Sequence, residues 1–380
     1  MTAARFSATY SRAPRGCWAA PGRVNLIGEY TDLAGGHVLP IAIPQLTKVW
    51  AAERGDRHLR VWSSKEPGAP VELVLDGAER PSGWSAYPRA VARALEAAGH
   101  HIGGADLLVD SDVPVGAGLS SSAALECSVA MALCSLFAIE LAPMAVARVA
   151  QVAENDFVGM PCGIMDQAAS MCCTAGHALL LDTRYLQVDQ VPCALDEMGM
   201  TWVIVDTGVK HDLVDSAYRE RKASVEESAR LLGVQALCDV PGDEVSAALE
   251  QLARSGDEVL VHRARHLLSE EQRVLEVAGY LRSGEAAAIG PVLLAGHRSL
   301  RDDFEVSCPE LDVAVAAATE AGSYGARLTG AGFGGSVIAL APAGAVHAVE
   351  DAVKAAFQQR GWAPPQVSTV VPSAGARQGC

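Results

Sequence analysis

Apolar and polar residues alternate with two different periods along this chain, and the period changes with position. In the first third, short runs rich in Val, Ile and Leu are separated by Gly- and Pro-rich turns. A run of this kind between turn formers predicts a β-strand. We therefore expect strands at residues 38–43, 47–52, 59–63 and 71–75, then a helix at 84–98 and a strand at 105–109.

Beyond residue 110 the helical period dominates. Apolar residues recur at helical spacing in three segments, at 120–140, 143–158 and 163–171. Short strands are expected at 178–182 and 202–206, before charged amphipathic helices at 216–232, 244–252 and 257–283. The end returns to strand and helix, with strands at 336–340 and 366–371 and a helix from 346. The change of composition near 185–200 predicts two domains, 1–190 and 191–380.

A Gly- and Ser-rich turn at residues 114–123 lies between a predicted strand and a predicted helix. Glycines allow the backbone to approach an anion, and the N–H groups and dipole at a helix start favour a phosphate. No Lys follows the glycines, so this is not a Walker A loop. Phosphate binding is one interpretation, and a helix merely capped by Ser120 after a tight turn is the other.

A second glycine-rich turn, Gly330-Ala331-Gly332-Phe333-Gly334-Gly335, matches the G-x-G-x-x-G pattern. A dinucleotide-binding turn leaves a strand and opens a helix, whereas residues 336–340 here predict a strand. This argues against a Rossmann dehydrogenase. The chain contains no H-R-D or D-F-G sequence, so a protein kinase is excluded as well. Taken alone, the turn is also compatible with an ordinary hairpin.

Several charged residues lie where structure alone does not require them. Arg23, Glu29 and Asp32 are interleaved with turn formers, which suits hydrogen bonding to sugar hydroxyls but also suits a solvated loop. Asp166 begins an otherwise apolar helix, where it either caps the helix or accepts a proton in a cleft. Glu154 lies on a mostly apolar helix and needs an ion partner or a metal there.

Composition narrows the class of protein. The 380 residues carry a formal net charge of −15, from 45 acidic and 30 basic residues. This argues against nucleic acid or an anionic membrane as the main partner. No apolar run is long enough to span a bilayer, and the basic N-terminus lacks the apolar core of a secretory signal, so we expect a cytoplasmic protein. The cysteines form no C-x-x-C, which excludes zinc spacing.

Three ordered segments together resemble a known family. Residues 22–32, Gly-Arg-Val-Asn-Leu-Ile-Gly-Glu-Tyr-Thr-Asp, resemble the galactokinase signature, and residues 113–124 and 328–336 are similar to the second and third motifs of the GHMP kinase superfamily. Further similar segments lie at 162–167, 176–180, 299–311 and 372–377. The resemblance implies an α+β fold of two domains, the first a ribosomal-protein-like β-α domain and the second ferredoxin-like, with the active site between them.

The resemblance also implies roles for individual residues. MgATP and a sugar would be the substrates, with Arg23 and Asp166 beside the anomeric hydroxyl as the catalytic pair. Glu29, Tyr30, Asp32, Gly163 and Tyr218 would contact the sugar, and Ser122 and Glu154 would hold Mg²⁺. ATP would lie against Trp84 and the loop made of Val115, Gly116, Ala117, Gly118, Leu119, Ser120, Ser121 and Ser122.

One position departs from the family pattern. The signature usually has His where this chain has Tyr30, a residue expected near O6 of the sugar. Galactose is the expected substrate, and a GHMP kinase acting on N-acetylgalactosamine or arabinose is the first alternative. A catalytically silent regulator that binds sugar and nucleotide is the second, although such a protein would be expected to have lost Arg23 or Asp166. The oligomeric state is left open.

Overall fold

A computed structural model describes residues 2–66, 68–77, 82–209 and 214–379. Its helices are α1 Ala3–Tyr10, α2 Ala86–Ala97, α3 Ser121–Leu136, α4 Pro143–Val152, α5 Met165–Cys172, α6 Val214–Leu232, α7 Val245–Ala253, α8 Glu258–Ser283, α9 Ile289–Asp302, α10 Pro309–Glu320 and α11 Val346–Gln359. The part of the chain that the structure describes contains no helix long and apolar enough to cross a membrane.

The strands form three sheets. In chain order they are β1 Gly16–Asn25, β2 His37–Val38, β3 Pro40–Arg54, β4 His58–Ser63, β5 Val71–Val74, β6 Gly104–Ser111, β7 His177–Asp182, β8 Gln187–Pro192, β9 Met200–Asp206, β10 Gly325–Thr329, β11 Ser336–Pro342, β12 Gln366–Val370 and β13 Arg377–Gln378.

The largest sheet has six strands in the order β13-β1-β3-β6-β4-β5. Apolar residues of α2, α3, α4 and α5 cover one face of it and form a continuous core with its inward-facing side chains. On the opposite face, α1 packs Phe6 and Tyr10 against Trp50 and Trp62. Both faces of this sheet are therefore buried over much of its area.

The second half of the chain is built on a four-stranded antiparallel sheet in the order β10-β11-β9-β12. Helices α9, α10 and α11 contribute to its packing. A shared apolar core joins the two halves, because Ile41 and Ile43 of β3 lie in one cluster with Trp202 of β9 and Val274 of α8. The division at residues 1–190 and 191–380 stays a prediction, and β13 returns from the second half to pair with β1.

Three local expectations need correction. The signature segment was open to a solvated-loop interpretation, yet residues 16–25 form β1, and the side chains of Arg23 and Glu29 are buried. The helix expected at 120–140 ends at Leu136, because Ala138 adopts a left-handed backbone with φ +53°. The helix expected at 143–158 is α-helical only to Val152 and continues as one π-helical turn at Ala153–Val158. Such single π turns are frequent at functional sites.

Candidate active site

Arg23 enters the site from a β-bulge in β1. The register of β1 against β3 shifts between Pro21 and Arg23, which bends the strand and turns the side chain inward. Its Nε and one terminal nitrogen lie 2.8 and 2.6 Å from Oδ1 of Asp166, and its other terminal nitrogen donates to the carbonyl of Gly118 at 2.6 Å. One guanidinium therefore links the predicted catalytic carboxylate to the first glycine-rich loop.

Asp166 lies in the first turn of α5 and does not cap it. Ile164 occupies the N-cap position, so the capping interpretation of Asp166 is wrong. The second oxygen of Asp166, Oδ2, accepts a hydrogen bond from the hydroxyl of Ser120 at 2.6 Å. The carboxylate is thus held between a buried cation and a hydroxyl, in a half-buried position.

A cavity of about 200 Å³ lies against Asp166. It is lined by every residue that the sequence assigned to catalysis or sugar binding: Arg23, Glu29, Tyr30, Asp32, Gly163, Asp166 and Tyr218. Its remaining lining includes Cys162, Met165, Gly330 and Ala331. The structure therefore brings together segments that are separated by more than a hundred residues in the sequence.

Burial changes the acid–base properties of the cavity carboxylates. Burial raises the pKa of Asp32 to about 6, with the nearby Asp166 charge adding to it and a hydrogen bond from the backbone of Met165 opposing it. Burial likewise raises the pKa of Glu29 to about 7, opposed by the guanidinium of Arg327. Both carboxylates lose their charge more readily than exposed ones as the pH falls below neutrality.

Tyr30 is fixed by both its backbone and its ring. It has a left-handed φ of +69°, which is rare for an aromatic residue. Its hydroxyl donates to the carbonyl of Ala331 at 2.6 Å, and its ring packs on those of Phe304 and Tyr218, with centroids 4.7 and 5.5 Å away. The hydroxyl still has lone pairs that can accept from a ligand. A direct contact with O6 of a sugar stays a prediction.

The first glycine-rich loop runs directly into α3. Gly116 and Gly118 have φ values of +79° and +74°, and Ser120 at the N-cap position is also left-handed. The Ser120 hydroxyl makes no cap hydrogen bond and bonds Asp166 instead, so capping is not its role. The close approach of this loop to β1 requires Gly22, since a Cβ there would lie 2.6 Å from the carbonyl of Leu119.

The second glycine-rich turn connects β10 and β11, which pair as an antiparallel hairpin. The hydroxyl of Ser336, at the start of β11, donates to the carbonyl of Ala117 at 2.7 Å. A Cβ on Gly330 would lie 3.4 Å from the carbonyl oxygen of Gly118, and one on Gly335 would lie 3.7 Å from that of Ala117, so the two segments are neighbours. The turn is therefore a hairpin, as one interpretation of the sequence held, and it packs against the first glycine-rich loop.

A second cavity, of about 370 Å³, lies beside the start of α3. Trp84, Val115, Ser121 and Ser122 line it, together with Thr47, Ser63, Lys65 and Tyr87. The loop residues Gly116, Ala117, Gly118 and Leu119 connect Val115 to Ser120, which bonds Asp166 at the first cavity. An aromatic plane, serine hydroxyls and a helix N-terminus together suit a nucleotide.

Glu154 lies on the π-helical turn with its side chain buried. The amide of Gln167 donates to Oε2 of Glu154 at 2.7 Å and to Oε2 of Glu126 at 3.2 Å, and the hydroxyl of Ser122 hydrogen-bonds Glu154. Burial raises the pKa of Glu154, and the charge of Asp166 raises it further. A buried pair of carboxylates is costly unless a cation or a proton accompanies it.

Glu126 is the residue that sequence reasoning missed at this point. It is fully buried, and its Oε1 has no hydrogen-bond donor among the residues that the structure describes. The signal was present: Glu126 is the single charged residue of α3, one turn after Ser122 on the same helix face. An isolated Glu in an apolar helix was therefore a visible indication of a buried polar site.

Comparison with known families places the chain among the GHMP kinases. Residues 86–174 match the model of the GHMP kinase N-terminal domain, and residues 277–359 match that of the C-terminal domain. Residues 4–53 match the galactokinase galactose-binding signature. These three matches include Arg23, Glu29, the first glycine-rich loop and Asp166.

Whole-chain comparisons are more specific. The chain is 50% identical to galactokinase from Streptomyces coelicolor over 379 residues, covering 98% of this chain and 97% of that protein. It is 49% identical to galactokinase from Streptomyces lividans, covering 97% of this chain and 92% of that one.

Solved structures agree with the sequence relatives. The crystal structure of Lactococcus lactis galactokinase complexed with galactose matches with a TM-score of 0.93 and 33% identity, over 99% of this chain and 98% of that one. A Methanococcus jannaschii mevalonate kinase shares the fold at a TM-score of 0.65 and 18% identity, over 94% of this chain and 99% of that one. The expected two-domain α+β fold is confirmed, and the chain belongs to the galactokinase family of the GHMP kinases.

Proposed function

We propose that the chain transfers the γ-phosphoryl group of ATP to the C1 hydroxyl of galactose, giving galactose 1-phosphate and ADP. The observation that carries the proposal is the position of Asp166. Its carboxylate faces the small cavity and is bonded through Arg23 and Ser120 to the first glycine-rich loop. A hydroxyl bound in that cavity and a phosphate bound on that loop would meet at this carboxylate.

Phosphoryl transfer requires alignment and charge neutralisation more than covalent chemistry. Asp166 accepts the proton of the C1 hydroxyl as its oxygen attacks the γ-phosphorus. The bond from that phosphorus to the bridging oxygen breaks, and ADP leaves with the electron pair. Arg23 offsets the charge that accumulates beside Asp166, and the free N–H groups at the start of α3 bind phosphate oxygens.

The remaining cavity residues account for sugar recognition. Glu29 and Asp32 offer carboxylate oxygens to hydroxyl donors, and the phenols of Tyr30 and Tyr218 can donate or accept. Gly163 has no side chain and so leaves the Asp32 carboxylate in place beside it. Because polar groups of a buried site are left unpaired by a sugar that lacks the matching hydroxyl, such a site discriminates strongly between epimers.

The residues beside the second cavity fit Mg²⁺. Ser122 and Glu154 supply oxygen ligands, and the buried Oε1 of Glu126 has no hydrogen-bond donor among the described residues. Burial and the neighbouring charge of Glu154 raise the pKa of Glu126 well above its usual range, and a cation bound here would favour its ionised form. Within the described ranges no group of three or more His, Cys, Asp or Glu side chains has a metal-binding arrangement. This suits Mg²⁺, which usually takes one or two protein ligands along with substrate phosphates and water. When bound, the ion neutralises charge on the phosphates.

Replacing Glu154 by Ala should raise the Mg²⁺ concentration needed for half-maximal activity by about tenfold or more, the usual cost of losing one ion contact. Binding of ATP measured by calorimetry should weaken in the presence of Mg²⁺ and stay unchanged with EDTA. Glu250→Ala, an exposed Glu on α7, is the control and should alter neither measurement. An unchanged Mg²⁺ titration in Glu154→Ala would make Glu154 a structural residue.

A coupled assay of ADP release over a panel of sugars tests the proposed function. Galactose should exceed glucose, its C4 epimer, by at least about a hundredfold in kcat/KM. A preference for N-acetylgalactosamine or arabinose would replace galactose as the assigned substrate but leave the kinase assignment intact. Equal rates with glucose and galactose would do the same. Absence of ADP release with every sugar would favour the silent regulator. The proposal includes a cytoplasmic location, where ATP is supplied.

A further inference from the structure

Arg327 is a fully buried charge in the middle of β10. The strand reads Gly-Ala-Arg-Leu-Thr and all five of its residues are buried. The guanidinium lies between two buried carboxylates: one terminal nitrogen donates to Oε2 of Glu29, and the other lies 2.6 Å from Oε1 of Glu270. A single cation thus joins the sugar cavity to α8, which carries Glu270.

Glu270 is held in turn by other donors. Its Oε1 accepts the backbone N–H of Gly28 at 3.0 Å, and its Oε2 accepts Nε of Arg273 at 2.7 Å. Burial alone would raise the pKa of Glu270, yet the guanidiniums of Arg327 and Arg273 hold it well below its usual range. Glu270 therefore remains an anion that fixes both Arg327 and the backbone just before Glu29.

The neighbouring helix α9 has a glycine, Gly296, where it packs against the guanidinium of Arg327. A Cβ on Gly296 would lie 2.6 Å from a terminal nitrogen of Arg327 and 3.3 Å from Oε2 of Glu270. Buried ion pairs contribute little net stability compared with apolar residues of similar volume. Apolar residues in place of Arg327, Glu29 and Glu270 together would therefore stabilise this core about as well, and stability alone does not account for the three charges.

We propose that Arg327, anchored by Glu270, is a positioning residue that sets the charge and orientation of Glu29 toward the sugar. The inference rests on the proposed role of Glu29 in sugar binding. Arg327 lies outside the cavity and acts only through the Glu29 carboxylate, which lines it. The effect of Arg327 should therefore be confined to the sugar and leave the nucleotide site unaffected.

Charged and titratable groups reach Glu29 from several elements. Arg327 faces it from β10 and Glu270 from α8, while the backbone N–H of Gly330 lies 3.4 Å from its Oε1. Nε2 of His266, also on α8, donates to the Glu29 carbonyl at 3.3 Å, and burial lowers the pKa of His266 to about 4, so it is neutral near pH 7. The adjacent Tyr30 is neutral as well, because burial raises its pKa.

These groups predict opposite effects for two substitutions. Burial raises the pKa of Glu29 to about 7, Arg327 lowers it and Glu270 raises it. Ionised Glu29 predominates above that pKa, so kcat/KM for galactose should fall as the pH drops through 7. Removing Arg327 should shift this decline to higher pH. Removing the charge of Glu270 frees Arg327 for Glu29 and should shift the decline to lower pH.

The experiment compares Arg327→Met, Arg327→Lys and Glu270→Gln with the wild type in pH profiles of kcat/KM for galactose. The Met and Gln variants should shift the acid limb in opposite directions by at least about half a pH unit. At pH 8, Arg327→Met should raise the KM for galactose by about tenfold and Arg327→Lys by less, with the KM for ATP within about twofold of wild type. Arg301→Met, at a partly exposed arginine on α9, is the control.

Equal shifts in the same direction, or a parallel rise in the KM values for galactose and ATP, would overturn the proposal and leave a structural role. If Arg327→Met does not fold, the Lys and Gln variants decide: an unshifted acid limb in Glu270→Gln overturns the proposal. A wild type that releases no ADP with galactose would instead reject the proposed function, a result independent of these variants.

Discussion

Asp166→Asn should fold, bind ATP with unchanged affinity and turn over galactose at least about a hundredfold more slowly than the wild type, because a positioned base contributes about that much. The amide has nearly the same shape as the carboxylate but cannot accept the proton of the C1 hydroxyl. It can still accept from Arg23 through its oxygen, so the loop at Gly118 should stay in place. The decrease in activity should therefore appear in kcat.

Single-turnover kinetics and calorimetry of ATP binding measure this result. Asp243→Asn, at an exposed aspartate, controls for the loss of one charge and should be indistinguishable from the wild type. Turnover of Asp166→Asn close to that of the wild type would show that Asp166 only shapes the loop. Weak ATP binding by the same variant would assign the defect to the nucleotide site.

Gly163→Ala should lower kcat/KM for galactose by about 10- to 100-fold, the worth of one to two hydrogen bonds to a charged group. A Cβ at this position would lie 1.7 Å from Oδ2 of Asp32, far inside van der Waals contact. Asp32 must therefore move away and lose both its hydrogen bond from the backbone of Met165 and its place in the cavity. The KM for galactose should rise, whereas the KM for ATP should not.

A matched glycine separates this local clash from the general effect of adding a methyl group. Gly279 lies in α8 with open space around its Cβ direction, so Gly279→Ala should preserve activity. It should also stabilise the protein by about 0.5–1 kcal/mol, because Ala favours a helix over Gly. Unchanged galactose kinetics in Gly163→Ala would show that Asp32 does not contact the sugar.

The sequence predicted this site where short ordered motifs carried the information. The backbone geometry of a glycine-rich turn can be predicted from its own residues. The signature segment places Arg23, Glu29 and Asp32 within ten residues of each other. Local sequence could not separate a helix cap from a catalytic carboxylate at Asp166. That distinction depends on Arg23 and Ser120, which reach Asp166 from 143 and 46 residues away.

Arg327 and Glu270 show why the rest was not predictable. Arg327 is the single charged residue of β10, whereas Glu270 is one of several on α8. The role of each charge follows only from the contacts that β10, α8 and the loop after β1 make in the folded protein. Periodicity places such residues on an element but does not reveal their partners. Glu126 differs, because its isolation on an apolar helix was visible in the sequence.

The pairing of β13 with β1 has a consequence for how the protein acquires its structure during synthesis. Strand β1, which carries Arg23, leaves the ribosome long before its neighbour β13. The hydrogen bonds from the backbone of Ala376 to Ser170 and of Gly375 to Cys173, at the C-terminal end of α5, also form only after this late segment is made. Contacts of such long sequence separation slow folding and leave intermediates with open strand edges. The amino-terminal half should therefore remain a substrate for chaperones until the final strand is made.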